Sequence, residues 1–388
     1  MLNTLNDLLE LSIIVDKAKE FPKSAYENAK EEFLQKVDLD NIKSIYQVGT
    51  TEVTGISDID LFVIFKDNSH KFLSRYSIKN LSPDAQYLFS HEPWCMDEAT
   101  FHNLPYWFPY FDLINIYGET LTPDRDENLS REISVILLTQ YILTKVPIDF
   151  LIYSVLQKKF YEKIMLCMIN SLRHSLTLGS TILGGVPTRW ETFIEEYGNF
   201  RKKWFQENSV QREHRLKSYV VEGLLLSLEL IKKLSEYIEF AVLREKIKAD
   251  TITFRTKTRQ ISFERDWVGE KAIETILSST SREINQSLPL SLAFYPLCWG
   301  KFSDGTVGTH IHRSLGKAFL DFGMHLSLEG VINKHIETIE HYAVFHAQKF
   351  RAPISGYHTL WAPHHPSRVV RFLDRARNKF LCNDKKNH

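Results

Sequence analysis

The sequence predicts an α/β (α+β) fold, with a small mixed sheet near the start of the chain and a large, mainly helical region after it. Three observations support this class. Short apolar runs bounded by glycine, proline or charged residues, which are typical of strands, lie between residues 43 and 117. From residue 130 to about residue 248 the apolar residues recur mostly at helical spacing. A 388-residue chain with 43% hydrophobic residues also has enough apolar side chains for a large core.

The first part of the chain is expected to form two helices and then three strands. Apolar residues at helical spacing predict the two helices within residues 1–37. The strands are expected at residues 43–48, 58–65 and 110–117. Residues 58–65 carry apolar side chains on both faces, which predicts a central strand. The connection between the second and third strands, which includes residues 82–93, is expected to be rich in loops.

A change of pattern after Thr122-Pro123-Asp124 predicts a domain boundary. We expect a first domain at residues 1–125 that contains the sheet. Residues 126–388 are expected to form a mainly helical region, with a possible division near residue 250. Residues 251–267 alternate apolar and polar side chains, which predicts a β-hairpin there.

The overall composition excludes several classes of protein. Forty-eight basic residues balance forty-eight acidic ones, so no global field attracts the chain to duplex DNA or to an anionic membrane. The four cysteines are far apart in sequence, which argues against a disulfide framework and a structural zinc site. The N-terminal pattern is acidic and helical, unlike a secretory signal. We therefore expect a cytoplasmic protein with no membrane partner.

Two carboxylates, Asp58 and Asp60, lie two residues apart within the second predicted strand. Residues at this spacing project from the same face of a strand, so the two groups repel each other unless a divalent cation lies between them. Oxygen ligands of this kind suit Mg²⁺ or Mn²⁺, which complete their coordination with water and substrate phosphates. The spacing therefore predicts a metal site on this strand.

A phosphate-binding turn is expected immediately before that strand. Gly49 gives the backbone room to turn tightly, while Thr50 and Thr51 supply N–H groups and hydroxyls. The connection at residues 52–57 is short enough to form a hairpin-like loop or a single helical turn that brings this turn beside the two carboxylates. If two metal ions are bound, a third carboxylate is needed, and Asp112 in the third strand is the best-placed candidate.

The run from Val48 to Ile64, VGTTEVTGISDIDLFVI, resembles the signature of the DNA polymerase beta-type nucleotidyltransferase superfamily. That signature is a strand, Gly-Ser or Gly-Thr, a short helix, Asp-x-Asp within an apolar strand, and a third Asp on a later strand. Matched residue by residue, the resemblance implies that Gly49 and Thr50 bind phosphate. It also implies that Asp58 and Asp60 bind metal, with Asp112 as the third carboxylate. The segment INIYGETL is similar to a strand ending of small-molecule members such as aminoglycoside nucleotidyltransferases.

The resemblance covers roughly residues 40–122, and two departures from the pattern matter. Threonine replaces the usual serine, which keeps the hydroxyl. The loop between Gly49 and Asp58 is shorter than in many members and contains no arginine, so another basic residue would have to contact the triphosphate.

The resemblance implies a nucleotidyltransferase core and an enzyme that transfers a nucleoside monophosphate, by default AMP from ATP, to an acceptor hydroxyl with release of pyrophosphate. Two Mg²⁺ or Mn²⁺ ions are expected as cofactors. Because the net charge is zero and no RNA-binding module is evident, a small-molecule acceptor is favoured. The helical region at residues 126–388 is expected to select this acceptor and to close over the site. An RNA or protein acceptor, as in toxin-like members, and an oligonucleotide synthase remain alternatives. A degenerate nucleotide-binding module without turnover is the non-enzymatic alternative.

Overall fold

The computed structural model describes residues 13–66, 78–108, 112–124, 159–185, 187–242, 250–255, 259–279 and 284–293, and positions 334, 337, 338, 341, 342 and 345. The chain divides into two compact units. The sheet unit combines residues 19–130 with 333–388, and the helical unit combines residues 1–18 with 131–332. Both units are discontinuous in sequence, whereas the predicted domains, 1–125 and 126–388, are continuous.

Nine strands and seven α-helices are found in the described part of the chain. The strands are β1 (Ile13–Val15), β2 (Ile42–Val48), β3 (Asp60–Phe65), β4 (Trp94–Asp97), β5 (Leu113–Gly118), β6 (Lys159–Tyr161), β7 (Thr251–Arg255), β8 (Arg259–Glu264) and β9 (Ile284–Pro289). The helices are α1 (Lys23–Lys36), α2 (Pro83–Phe89), α3 (Glu98–His102), α4 (Glu162–Leu183), α5 (Thr188–Lys202), α6 (Ser209–Val242) and α7 (Gly269–Leu277).

The sheet unit contains a four-stranded mixed sheet in the order β4-β3-β2-β5. Strand β2 is antiparallel to both β3 and β5, whereas β3 is parallel to β4. The mixed α/β class is confirmed, and so is the inner position of β3 in the sheet. Each of its residues from Leu61 to Phe65 is buried, because the sheet is covered on both faces.

Helices α1 and α2 cover one face of this sheet. Apolar side chains from the two helices and from β2 and β3 form a single buried cluster, in which the rings of Phe33 and Phe89 lie 5.5 Å apart. The opposite face is aromatic: Phe62 lies 5.0 Å from Phe108 and 5.5 Å from Trp94, measured between ring centroids. Alternation along β3 places Asp60 on the same face as Phe62.

The helical unit contains helices α4, α5 and α6 and a three-stranded sheet in the order β7-β8-β9. Strands β7 and β8 confirm the predicted hairpin within residues 251–267. The buried rings of Trp190, Tyr197 and Trp204 lie in the core of this unit. Among the helices that the structure describes, none combines the length and the apolar character that a membrane crossing requires.

Four strands were not expected from the sequence. Residues 13–15 belong to a predicted helix but form β1, which pairs in parallel with β6, itself in a segment expected to be mainly helical. Strands β4 and β9 fall in segments expected to be loop or helix. Each of these strands pairs with a strand distant in sequence, and this pairing outweighs the weak local preference of its residues. The predicted helix before residue 13 and residues 110 and 111 of the third predicted strand lie outside the described residues.

Candidate metal and phosphate site

All four strands of the mixed sheet bring residues of interest to the same end of the sheet, which we call the site end. Strands β3 and β4 are parallel, so Asp60 at the start of β3 and His91 just before β4 lie at this end. Strand β2 runs the other way, so Gly49 follows its last residue there. Strand β5 is antiparallel to β2, so Asp112 precedes it at the same end. The segments predicted to bind metal and phosphate therefore converge.

Three of these side chains form a group that could hold one metal ion. One ligand atom each from Asp58, Asp60 and His91 lies within 4.8 Å of the other two. The Nε2 atom of His91 is 2.7 Å from Oδ1 of Asp60, and the two side chains are 23% and 27% exposed. This contact is a salt bridge only when the imidazole is protonated. The group is thus reachable by a ligand and rich in donor atoms for a cation.

The carboxylate of Asp60 contains a buried oxygen. Its Oδ1 atom has almost no solvent contact, and among the described residues no N–H or O–H is directed at it with hydrogen-bonding geometry. The close neighbour of this atom is Nε2 of His91. Buried carboxylate oxygens are normally satisfied by donors or by a cation. The arrangement around Oδ1 therefore suits a metal ligand.

The orientation of His91 is set by its other ring nitrogen. Nδ1 lies 2.8 Å from the backbone carbonyl oxygen of Glu92. A carbonyl oxygen can only accept, so Nδ1–H is the donor and the neutral ring carries its lone pair on Nε2. The ring also packs edge-on against Trp94, with 4.8 Å between the centroids. Sequence reasoning missed His91, because its position depends on β4.

The backbone on both sides of Asp58 is anchored. The hydroxyl of Tyr26, a residue only 1% exposed, accepts a hydrogen bond from the N–H of Gly55 at 2.8 Å. The same hydroxyl donates to the carbonyl of Ser57 at 2.7 Å. On the other side, the N–H of Ile59 donates to the carbonyl of Leu88 at 2.9 Å. These bonds fix the approach of the chain to β3 and position the Asp58 carboxylate.

The loop between the turn and β3 contains a hydrogen-bonded turn rather than a helix, and in it the Ser57 N–H donates to the Val53 carbonyl at 2.8 Å. Gly55 has a φ of +79°, and a Cβ at this position would lie 1.9 Å from the carbonyl oxygen of Lys19. Only glycine fits such an approach. The Tyr87 hydroxyl also donates to the Gly55 carbonyl at 3.0 Å. The loop is therefore held from several directions.

The bend predicted at Gly49 is present, and its use for phosphate stays a prediction with one correction. Gly49 has a φ of +66°, and a Cβ there would meet nothing within 4 Å. Its N–H donates to the carbonyl of Asp112 at 2.7 Å, so this N–H holds the turn and is not offered to a ligand. None of the hydrogen bonds among the described residues involves Thr50 or Thr51, and Thr50 is exposed. The threonines are thus the accessible part of the turn.

The backbone carbonyl of Asp112 accepts the hydrogen bond from Gly49 and so lies beside the turn. The carboxylate of Asp112 does not join the group formed by Asp58, Asp60 and His91. The register of the sheet explains this. Val48 is opposite Asp60 on β3 and opposite Leu113 on β5, so Leu113 occupies the row of Asp60. Asp112 lies one position before Leu113, the first residue of β5, so its side chain is outside that row. The role of Asp112 as a third metal ligand stays a prediction.

The other end of the sheet, which we call the far end, carries charges that are already paired. Nζ of Lys43 lies 2.6 Å from a carboxylate oxygen of Glu98 and 3.6 Å from one of Glu119. The hydrogen bond from Lys43 holds the pKa of Glu98 below its usual range. His102 lies 3.5 Å from Glu98 and 3.6 Å from Asp124. Lysine therefore supplies the countercharge at this end.

Cys95 on β4 has no role in the site chemistry. Its side chain is buried in the cluster under α1 and α2, on the face opposite Asp60. Burial raises the pKa of the Cys95 thiol far above its usual range, so the reactive thiolate is not formed near neutral pH. A cysteine nucleophile at this position is excluded.

Comparisons with protein-family models, curated proteins and solved structures return no match to this chain. The function is therefore inferred from the geometry and the donor groups of the site end.

Proposed function

We propose that this protein is a metal-dependent nucleotidyltransferase that transfers a nucleoside monophosphate from an NTP to an acceptor hydroxyl. The observation that carries the proposal is the convergence of Gly49, Asp58 and Asp60 at one end of the mixed sheet. A turn with accessible N–H and hydroxyl groups binds phosphate, and adjacent carboxylates hold a divalent cation. Together they supply the two requirements for positioning a triphosphate.

The residues present fit a divalent cation. Asp58 and Asp60 would hold it, since the Oδ1 atom of Asp60 is buried without a directed donor among the described residues. Mg²⁺ and Mn²⁺ are the natural candidates for carboxylate ligands beside a phosphate. When bound, such an ion would neutralise negative charge on the phosphate oxygens around the α-phosphorus.

The chain itself has three tasks in this reaction. The turn at Thr50 and Thr51 binds the β- and γ-phosphates, to which its N–H groups and hydroxyls can donate. The anchors at Tyr26 and Gly55 keep the Asp58 carboxylate in place, so little reorganisation is needed when the substrate arrives. Asp112, exposed beside the turn, accepts the proton from the acceptor hydroxyl.

The chemical change is an in-line displacement at the α-phosphorus. A new bond forms between the acceptor oxygen and the α-phosphorus, and the bond from the α-phosphorus to the bridging oxygen of the β-phosphate breaks. The proton of the acceptor hydroxyl passes to Asp112, and pyrophosphate leaves from the side of Thr50. ATP is the proposed donor, and a small molecule with a free hydroxyl is the proposed acceptor, because the chain has no net charge to attract a polyanion.

The proposal is tested by incubating the full chain with Mn²⁺ or Mg²⁺ and each NTP labelled at the α-phosphorus. Pyrophosphate release is measured with and without a cell extract, and the label is followed into small molecules, RNA and protein. We expect release with ATP and label in a small molecule. Asp60→Asn should lower the rate by roughly a hundredfold or more, because it removes the negative charge of a carboxylate that would hold the ion at the reacting centre.

Asp40→Asn is the matched control, since it removes an exposed carboxylate near the opposite end of β2. It should leave the rate unchanged. No pyrophosphate release under any of these conditions, or an equal loss in Asp40→Asn and Asp60→Asn, would contradict the enzyme proposal. Label in RNA or protein would replace the small-molecule acceptor by one of those classes.

A further inference from the structure

We propose that His91 is the third protein ligand of the metal ion at Asp58 and Asp60, and that this mixed oxygen and nitrogen site selects Mn²⁺ over Mg²⁺. The inference rests on the proposed function only for the use of the ion in turnover. Metal binding by the three side chains is a property of the site end alone.

The positions of the three ligand atoms suit one ion. Two ligands that lie about 2.1 Å from a common ion are roughly 3 Å apart when adjacent in an octahedron and roughly 4.2 Å apart when opposite. The atoms of Asp58, Asp60 and His91 all lie within 4.8 Å of one another. The 2.7 Å separation of Asp60 Oδ1 and His91 Nε2 corresponds to adjacent positions. Only small side-chain adjustments are needed for all three atoms to bind one ion.

The hydrogen bond at the other ring nitrogen of His91 is also typical of a metal ligand. Metal-binding histidines usually donate their other N–H to a carbonyl or carboxylate, which fixes the tautomer and aims the lone pair. The Nδ1 atom of His91 is within 2.8 Å of the Glu92 carbonyl, and Trp94 packs against the ring. The lone pair on Nε2 is thereby directed toward the side of Asp60.

The chemistry of the donor set favours Mn²⁺. Mg²⁺ prefers oxygen ligands in near-ideal octahedral geometry, whereas imidazole suits first-row transition metals. Mn²⁺ accepts carboxylates and imidazole together, so a nitrogen donor strengthens its binding relative to Mg²⁺. A site built only from the Asp-x-Asp carboxylates would lack this preference.

His102 at the far end is a matched comparison for His91. Its Nδ1 atom is 2.9 Å from the carbonyl of Thr122, and the carboxylates of Glu98 and Asp124 are near its ring. However, Lys43 already supplies a positive charge to Glu98 at 2.6 Å. A second cation would be repelled there, so His102 should not bind a metal ion.

The test is titration of the full chain with Mn²⁺ alone and with Mg²⁺ alone, followed by calorimetry and, for Mn²⁺, by electron paramagnetic resonance. We expect Mn²⁺ to bind at least about tenfold more tightly than Mg²⁺. His91→Ala should weaken Mn²⁺ binding by at least about tenfold, a loss in the range that follows changes around metal-binding histidines. The magnetic coupling of Mn²⁺ to an imidazole nitrogen should disappear in this variant. His102→Ala should change neither quantity.

His91→Asp gives an independent test, because it replaces the nitrogen donor by oxygen and should reduce the preference for Mn²⁺. Circular dichroism of each variant verifies that the fold is kept. Equal affinity of the unaltered chain for Mn²⁺ and Mg²⁺, unchanged Mn²⁺ binding in His91→Ala, or retained nitrogen coupling would overturn the proposal.

These outcomes are separable from the failure of the proposed function. Selective Mn²⁺ binding through His91 without NTP turnover would keep the metal site and reject the enzyme. Turnover that depends on Asp60 but not on His91, with no preference for Mn²⁺, would keep the enzyme and reject the mixed site.

Discussion

The two ends of the four-stranded sheet both carry carboxylates beside a histidine, but they neutralise these charges differently. At the far end Lys43 lies between Glu98 and Glu119, at 2.6 and 3.6 Å. At the site end Asp60 lies 2.7 Å from the imidazole of His91. Lysine is a permanent cation near neutral pH, whereas imidazole can be a neutral ligand. The far end therefore carries its own positive charge, whereas the site end offers a group of side chains that could hold a cation.

The topology of the sheet produces this difference. Both parallel strands, β3 and β4, begin at the site end, so the loops that precede them contribute Asp58 and His91 to the same region. The residues after β4 and β5 contribute Glu98 and Glu119 to the far end, where Lys43 is the second residue of β2. Acidic groups therefore collect at both ends, but the far end also receives the lysine.

The substitutions Tyr26→Phe and Tyr46→Phe test the two ends of the sheet separately, and they have the largest expected effects on stability. Both tyrosines are buried, and each hydroxyl bonds backbone groups: Tyr26 those of Gly55 and Ser57, Tyr46 that of Leu121. Loss of either hydroxyl leaves buried polar groups unsatisfied, which should lower the free energy of unfolding by about 2 kcal/mol in denaturant titrations. Only Tyr26→Phe should also weaken Mn²⁺ binding, because only it releases the backbone beside Asp58.

Equal Mn²⁺ affinity in the two variants would show that the anchors of Tyr26 do not position the metal ligands. Weaker Mn²⁺ binding in Tyr46→Phe would show that the two ends are coupled through the sheet.

Lys43→Met should have a smaller effect on stability, and this effect should be visible at acidic pH. The hydrogen bond from Lys43 lowers the pKa of Glu98 from its ordinary 4.5 in the folded chain. This interaction stabilises the fold above pH 4.5 and is lost as the pH falls through the lowered pKa of the folded state. The variant should therefore lose less stability than the unaltered chain on acidification below that pH, measured by thermal unfolding. Metal binding at the site end should be unchanged, and an unaltered acid dependence would contradict the role of Lys43.

The sequence was sufficient to predict that Asp58 and Asp60 lie close together, because the signal is local. The strand expected to begin at residue 58 begins at Asp60, so Asp58 lies in the loop before it, and Gly49 follows the last residue of β2. His91 could not be found in the same way. Its place in the site depends on β4, a four-residue strand at Trp94–Asp97 that follows a proline and lacks alternation. Such a strand exists because it pairs with β3, a contact that no local pattern records.

The placement of Asp112 shows a second limit of sequence reasoning. A strand is present where the third one was predicted, but it begins at Leu113, so Asp112 precedes it instead of lying within it. The register is irregular between Ile45 and Tyr46, and Leu113 takes the position opposite Val48. The register decides which residue lies opposite Val48, and it follows from the pairing of the strands rather than from their composition.

The central claim is that the site end joins a phosphate turn to a metal site. Its most direct test is the equilibrium binding of a non-hydrolysable ATP analogue with and without Mn²⁺, in the unaltered chain, Asp60→Asn and Lys43→Met. We predict that Mn²⁺ increases the affinity at least about tenfold in the unaltered chain and in Lys43→Met, but not in Asp60→Asn. Binding of the analogue that does not respond to Mn²⁺, or an equal response in Asp60→Asn, would contradict the claim.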